Sequence, residues 1–177
     1  MAKREALRDL QTRLAKRLQA AQSEGMSVAW LAVRAGGLNY LLPLGQSGEI
    51  VPLSNAQAVP YSKPWFRGVL NIRGSLFGVV DLARFIAADT GADAPSASGA
   101  AEASVVTLNA LLEVNCALQV DSLAGLRGSE AFKSSAAAPA GAPAYFGNCF
   151  VDAEEQRWQE INLRALAQSP SFLSIGA

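Results

Sequence analysis

The sequence predicts an all-β fold, a barrel or a sandwich, on three observations. Short runs rich in strand-forming residues recur along most of the 177-residue chain. Gly, Pro and Asn clusters separate these runs at hairpin-like intervals. Half of the residues are hydrophobic, yet no run of 18 apolar residues occurs, so the apolar content implies a core and not a membrane-spanning helix. The length suits one domain or two small, closely packed subdomains.

The first element is the exception to the β pattern. Residues 3–22 read as a helix, because Leu7, Leu10, Leu14 and Leu18 recur at spacings of three and four and share one face. Asp9 and Arg13 form an i,i+4 pair of favourable order, and Gly25 is a stop signal. Residues 1–25 are therefore expected to be an N-terminal amphipathic helix. Its leucine stripe fits packing on the body, docking to a partner, or a membrane surface. The last is weakened by the lack of any aromatic residue in the stripe.

Strands follow. Val28–Val33 is a short apolar run, Gly36-Gly37 a two-glycine turn, and Leu38–Leu44 the return strand. Gly45–Gly48 reads as a turn and Glu49–Leu53 as a strand, with Pro52 marking an edge or an end. Val59–Pro64 is a proline-pinned loop. Residues 65–82 form two strands folded back at Arg73-Gly74, with Arg67, Arg73 and Asp81 their only charges. Leu82–Ala88 reads as a helical turn and residues 89–103, without a large apolar side chain, as a flexible loop. Ser104–Leu112 and Asn115–Val120 read as strands. Gly128–Ala144 is a second loose stretch. Tyr145–Val151 and Gln156–Ile161 are the last strands, joined by a turn at Asp152–Glu155, and Asn162–Ala167 is a short C-terminal helix before Pro170.

Composition narrows the function. Histidine is absent, which removes the usual general base, transition-metal ligand and triad member. No phosphate-binding loop, nucleophile elbow or dinucleotide fingerprint occurs. Cys116 and Cys149 lie far apart and read as small hydrophobes of a reduced, cytoplasmic protein, as does a start without a signal-peptide pattern. A hydrolase built from carboxylates lacks an oriented base. No cofactor is expected. The zero net charge hides an asymmetry: residues 1–25 carry +3, and the rest −3. A mildly acidic body argues against a small-barrel nucleic-acid binder, which needs a basic, aromatic strand face.

Two charge constellations stand out. Asp152, Glu154, Glu155 and Glu160 lack the ligand spacing of a calcium loop and read as a solvated turn. Arg73, at the hairpin bend, and Glu49, at the start of an earlier strand, are expected to form a geometrically defined ion pair. It reads either as a fold-stabilising pair or as the wall of a binding groove. Gly74 and Gly78, spaced as Gly-x-x-x-Gly, lie in the hairpin and read as a close backbone approach or a bulge.

At this hairpin the sequence resembles the CheW-like domain of bacterial chemosensory systems. The family pattern Gly-Val/Ile-x-Asn-Leu-Arg-Gly is matched by Gly68–Gly74, with Ile72 in place of Leu, and the following Val-x-Asp-Leu by Val79–Leu82. Glu49-Ile50 and Val120-Asp121 match further family positions, and the pattern spans residues 26–174. Tyr40–Pro43, Val59–Tyr61, Trp65–Gly68, Gly125–Gly128 and Phe172–Gly176 resemble the pilus (twitching-motility) branch. The sequence departs from the pattern at Ser47-Gly48, where apolar partner-facing residues are common, and at Asn162, where an Asp is usual.

The resemblance implies two intertwined five-stranded β-barrels and a non-catalytic adaptor between a methyl-accepting chemoreceptor and a CheA-like histidine kinase. It would control twitching motility or, alternatively, flagellar chemotaxis or another chemosensory pathway. It would be recruited to membrane-associated receptor arrays without entering the membrane. It further implies receptor-facing roles for Ser47, Glu49, Arg73 and Asp121, kinase-facing roles for Leu70, Leu76 and Val80, and structural roles for Gly68, Asn71, Gly74 and Asp81.

Overall fold

The computed structural model describes residues 9, 11–13, 15, 30–95 and 103–177. Its strands are β1 (Trp30–Ala35), β2 (Leu38–Pro43), β3 (Ser47–Pro52), β4 (Phe66–Ile72), β5 (Ser75–Asp81), β6 (Ser104–Leu108), β7 (Cys116–Val120), β8 (Ser122–Arg127), β9 (Phe132–Ala136), β10 (Phe146–Asp152) and β11 (Arg157–Ile161). Helix α1 spans Leu82–Thr90, α2 Leu163–Gln168 and α3 Pro170–Leu173. The strands form one six-stranded sheet, in the order β8-β1-β2-β11-β10-β9, and one five-stranded sheet, β3-β6-β7-β5-β4. The all-β architecture is as expected, but the sheets hold six and five strands instead of five each, and neither closes edge to edge. They are interleaved along the chain. The five-stranded sheet is built from residues 47–120, and the six-stranded sheet takes strands from both sides of that stretch.

Interleaving gives one shared core. Leu31, Val33, Leu42, Val80, Phe85, Leu118 and Leu163 belong to a cluster that joins both sheets to α1 and α2. Each sheet has a smaller cluster besides: Leu70, Ile72, Val79, Val105 and Ala117 in one, Trp30, Ala32, Leu41 and Trp158 in the other. Strand β1 alternates between the shared cluster and the smaller one, so both its faces are buried. That is why it reads as a continuous apolar run and not as an alternating one.

Two hairpins turn through two-residue loops. Gly36 and Gly37 have φ of 58° and 80°, and Arg73 and Gly74 have 52° and 87°. Positive φ at both central residues of a two-residue loop is the turn whose twist matches paired strands. Helices α1 and α2 start on side-chain caps. Asp81 accepts a hydrogen bond from the Arg84 amide at 3.1 Å, and Asn162 accepts one from the Ala165 amide at 3.1 Å. Asn162 therefore fills a capping role that an Asp could also take there.

Several boundaries differ from the sequence reading. Leu44–Gln46 is a 3-10 turn, and Ser47 and Gly48 already belong to β3. The strand beginning at Ser104 ends at Leu108, because Asn109 accepts from the Leu111 amide and starts a second 3-10 turn. Helix α1 extends two residues further, to Thr90, before Gly91 ends it in the left-handed region. The stretch Gly128–Ala144 is not a loose loop throughout, since it contains β9. Strand β8 had no apolar alternation to betray it. Of the N-terminal helix, Asp9, residues 11–13 and Ala15 are helical, while the four leucines of its stripe lie outside the described residues, as do residues 96–102.

Candidate interaction surface

The predicted ion pair forms. Arg73 Nη2 lies 3.1 Å from Glu49 Oε1, with the side chains 81% and 43% exposed. Both partners sit at backbone irregularities. Strand β3 pairs Ser47 with Leu108 and then Ile50 with Val106, so Gly48 and Glu49 together oppose Thr107 in a bulge. The bulge strips the Glu49 amide of a ladder partner, and Thr107 Oγ1 accepts its hydrogen bond at 2.8 Å. That same hydroxyl occupies the space where a Cβ on Gly48 would stand. The bulge thus explains the glycine before Glu49, and it turns the carboxylate toward the β4–β5 bend.

Arg73 presents its guanidinium from the left-handed region. Asn71 steadies the turn by accepting from the Gly74 amide at 2.9 Å. Gly68, at φ 125°, lies against the carbonyl of Gln57, which is bridged to Val69 by two backbone hydrogen bonds of 2.7 and 2.9 Å. This strip covers the outer edge of β4. Gly78 meets the Phe66 ring, 3.0 Å from where its Cβ would be, so the close neighbour is an aromatic side chain and not another backbone. Arg67 is exposed at the bulge opposite Val79–Val80.

Not every residue implied as partner-facing is available. Ser47 is 8% exposed, and its hydroxyl donates to the Pro43 carbonyl at 2.9 Å, so it stabilises a turn. Leu70 and Val80 are 6% and 1% exposed and belong to the core, whereas Leu76 is 62% exposed beside the Arg73 bend. The alternation of β4 and β5 buries the first two; the sequence marked the hairpin as apolar without saying which face was outward. Asp121 accepts from the Gly36 amide at 2.8 Å, and its own amide donates to Arg34 O at 2.8 Å. It ties the first hairpin to the β7–β8 junction. Asp81 is partnered by the Arg84 amide and, at 3.6 Å, by the Arg84 guanidinium.

The acidic cluster is not a solvated turn at its most important residue. Asp152 is 4% exposed. It accepts from Trp158 Nε1 and from the Glu154 and Gln156 amides, each at 2.9 Å, and lies 3.6 Å from the Arg127 guanidinium, which stacks over the Trp158 ring. The indole hydrogen bond first, then the two amides and the guanidinium, hold its carboxyl below the usual carboxylate range. Glu155 pairs with Lys133, and Glu160 accepts from Trp30 Nε1 at 2.6 Å. Among the described residues no group of three metal-ligating side chains occurs. Burial pushes the Cys116 thiol up to about 12, which makes it a core residue and not a reactive one, while Cys149 is half-buried.

A depressed folded pKa stabilises the native state above the unfolded carboxylate value, about 3.9, and the benefit is lost as pH falls through the folded value. Asp152→Asn should therefore lower the urea midpoint at pH 7, with the gap to wild type closing as the pH drops below about 4. Equilibrium unfolding of both proteins across that range checks this.

Comparison with known proteins places the chain. The CheW-like domain family model matches residues 29–171. Protein PilI of Pseudomonas aeruginosa is 28% identical over 166 residues, 92% of this chain and 88% of that protein. The crystal structure of the scaffolding protein TtCheW of Thermoanaerobacter tengcongensis superposes with a TM-score of 0.59 at 14% identity, covering 76% of this chain and 88% of the other. Among the described residues no helix is long and apolar enough to cross a membrane. With two interleaved sheets, the Gly68–Gly74 hairpin and a family match over most of its length, this chain belongs to the CheW-like domain family.

Proposed function

We propose that this protein is a non-catalytic adaptor that couples a chemoreceptor to a CheA-like histidine kinase in a pilus-type chemosensory system. The likeness to PilI supports the pilus branch over a flagellar one. The observation that carries the adaptor reading is the balance of energies at Arg73. A non-glycine residue in the left-handed region costs about 1–2 kcal/mol. An ion pair this exposed returns only about 0–1 kcal/mol. Glycine would suit φ 52° better, so stability alone does not account for arginine there. What the arginine supplies is an outward-facing charge pair suited to orienting a partner. In this reading Arg73 and Glu49 face the receptor, and Leu76 contributes to the kinase-facing edge in place of Leu70 and Val80.

A nucleic-acid role has less support. Among the described residues Tyr61 is the one largely exposed aromatic side chain, so no aromatic strand face is offered for stacking.

The test separates docking from folding. Arg73→Glu should weaken receptor coupling at least about tenfold while shifting the melting temperature by no more than a few degrees. Arg73→Gly should weaken coupling as well and keep the turn, since glycine accepts the backbone conformation. Binding to the receptor tip by calorimetry, read beside thermal melts, decides the matter. A melting temperature that falls while coupling holds would make the pair purely structural.

A further inference from the structure

Strand β8 leaves leucines uncovered at the rim of the shared core. It is an outer strand of the six-stranded sheet, paired on one side with β1. Leu126 stands opposite Leu31 and Leu123 opposite Val33. Directly opposed residues share a sheet face, so both leucines lie on the face of the shared core, to which Leu31 and Val33 belong. Yet Leu126 is 67% exposed and Leu123 41%. The core face continues past β1 with nothing described over it.

We propose that the N-terminal segment of the same chain docks here, laying its leucine stripe over Leu123 and Leu126. Three observations select this occupant. First, the chain enters β1 at Trp30, opposite Arg127, so the segment before it is tethered at the Arg127 end of β8, one residue from Leu126. Residues 23–29 can span at most about 25 Å when extended, which lets a helix over residues 3–22 reach back along β8. Second, the stripe Leu7, Leu10, Leu14 and Leu18 is apolar on one face, and Asp9, residues 11–13 and Ala15 are helical. A lone helix of this length is marginal in water and gains its stability by burying such a face. Third, the charges are complementary. Residues 1–25 carry +3 against −3 for the rest. Glu130, exposed just beyond the end of β8, has no ion-pair partner among the described residues.

Hydrogen exchange on the full-length protein tests this. In the wild type, amides of residues 7–18 should exchange at least about tenfold more slowly than an unstructured peptide. That protection should be lost in the Leu123→Asp/Leu126→Asp double variant and also in Leu14→Asp. Both substitutions on the body fall on exposed positions, so its β amides should stay protected. Protection in the wild type should not change on tenfold dilution, which distinguishes docking within one chain from docking on a second copy. Unprotected amides in the wild type would overturn the proposal. So would protection that survives the double variant, or protection that disappears on dilution.

Discussion

Phe85→Ala is expected to destabilise this protein by about 3–5 kcal/mol, the range for emptying a large aromatic site in a core. Phe85 is 1% exposed in α1, and its ring lies 5.0 Å from Trp65, 5.7 Å from Tyr145 and 5.3 Å from Phe172. These partners come from the loop before β4, the start of β10 and α3. One truncation therefore loosens three parts of the chain on either side of the interleaved sheets. Tyr145 also donates to Asp89 at the end of α1 at 2.8 Å, and burial pushes its phenol pKa well up, which keeps that hydroxyl a donor near neutral pH. Native domains hold about 5–15 kcal/mol in all, so the variant should sit near the threshold of folding at room temperature. Urea denaturation followed by tryptophan fluorescence measures it. A loss under about 1 kcal/mol would mean that the aromatic group is not the joint of the core.

Gly68→Ala should cost about 2–4 kcal/mol, from strain at a φ that side chains avoid and from forced displacement of a neighbour. The added Cβ would run into the Gln57 carbonyl, a backbone atom that cannot rotate away. Its bridge to Val69 would break, and the outer edge of β4 would lose its cover. An uncovered edge is a template for further strands. The variant should therefore unfold at lower urea and also scatter more light at high protein concentration. Unchanged stability would place the cause of this glycine elsewhere.

Much of this was legible in the sequence, and the failures have physical reasons. The Gly36-Gly37 bend was readable because two-residue turns with positive φ leave few residue choices, and the Arg73-Gly74 bend because Gly74 is one of those residues. The Glu49–Arg73 pair was readable because isolated charges in an apolar hairpin need an account. What a charge does locally was harder to see. Asp81 and Asn162 cap helices and Asp121 fastens a hairpin, contacts that depend on φ and ψ and on distant strands. Strand β9, Phe-Lys-Ser-Ser-Ala, is an exposed edge with no apolar alternation, so a periodicity rule passes over it. Asp152 looked like part of a solvated turn because its burial depends on Trp158 and Arg127, which only the folded sheet brings to it. Leu70, Leu76 and Val80 shared one apolar hairpin, and their separation into core and surface needed the sheet's faces.

In the proposed function this fold serves as a bridge. The most direct measurement mixes the full-length protein with the cytoplasmic tip of its cognate chemoreceptor and the regulatory domain of its CheA-like kinase, singly and together, and follows complex formation by sedimentation. Binding to each is expected at concentrations on the order of micromolar, with a ternary complex when all three are present and with Arg73→Glu weakening the receptor contact while retaining the kinase domain. No binding to either partner, or competition between them for one surface, would contradict it.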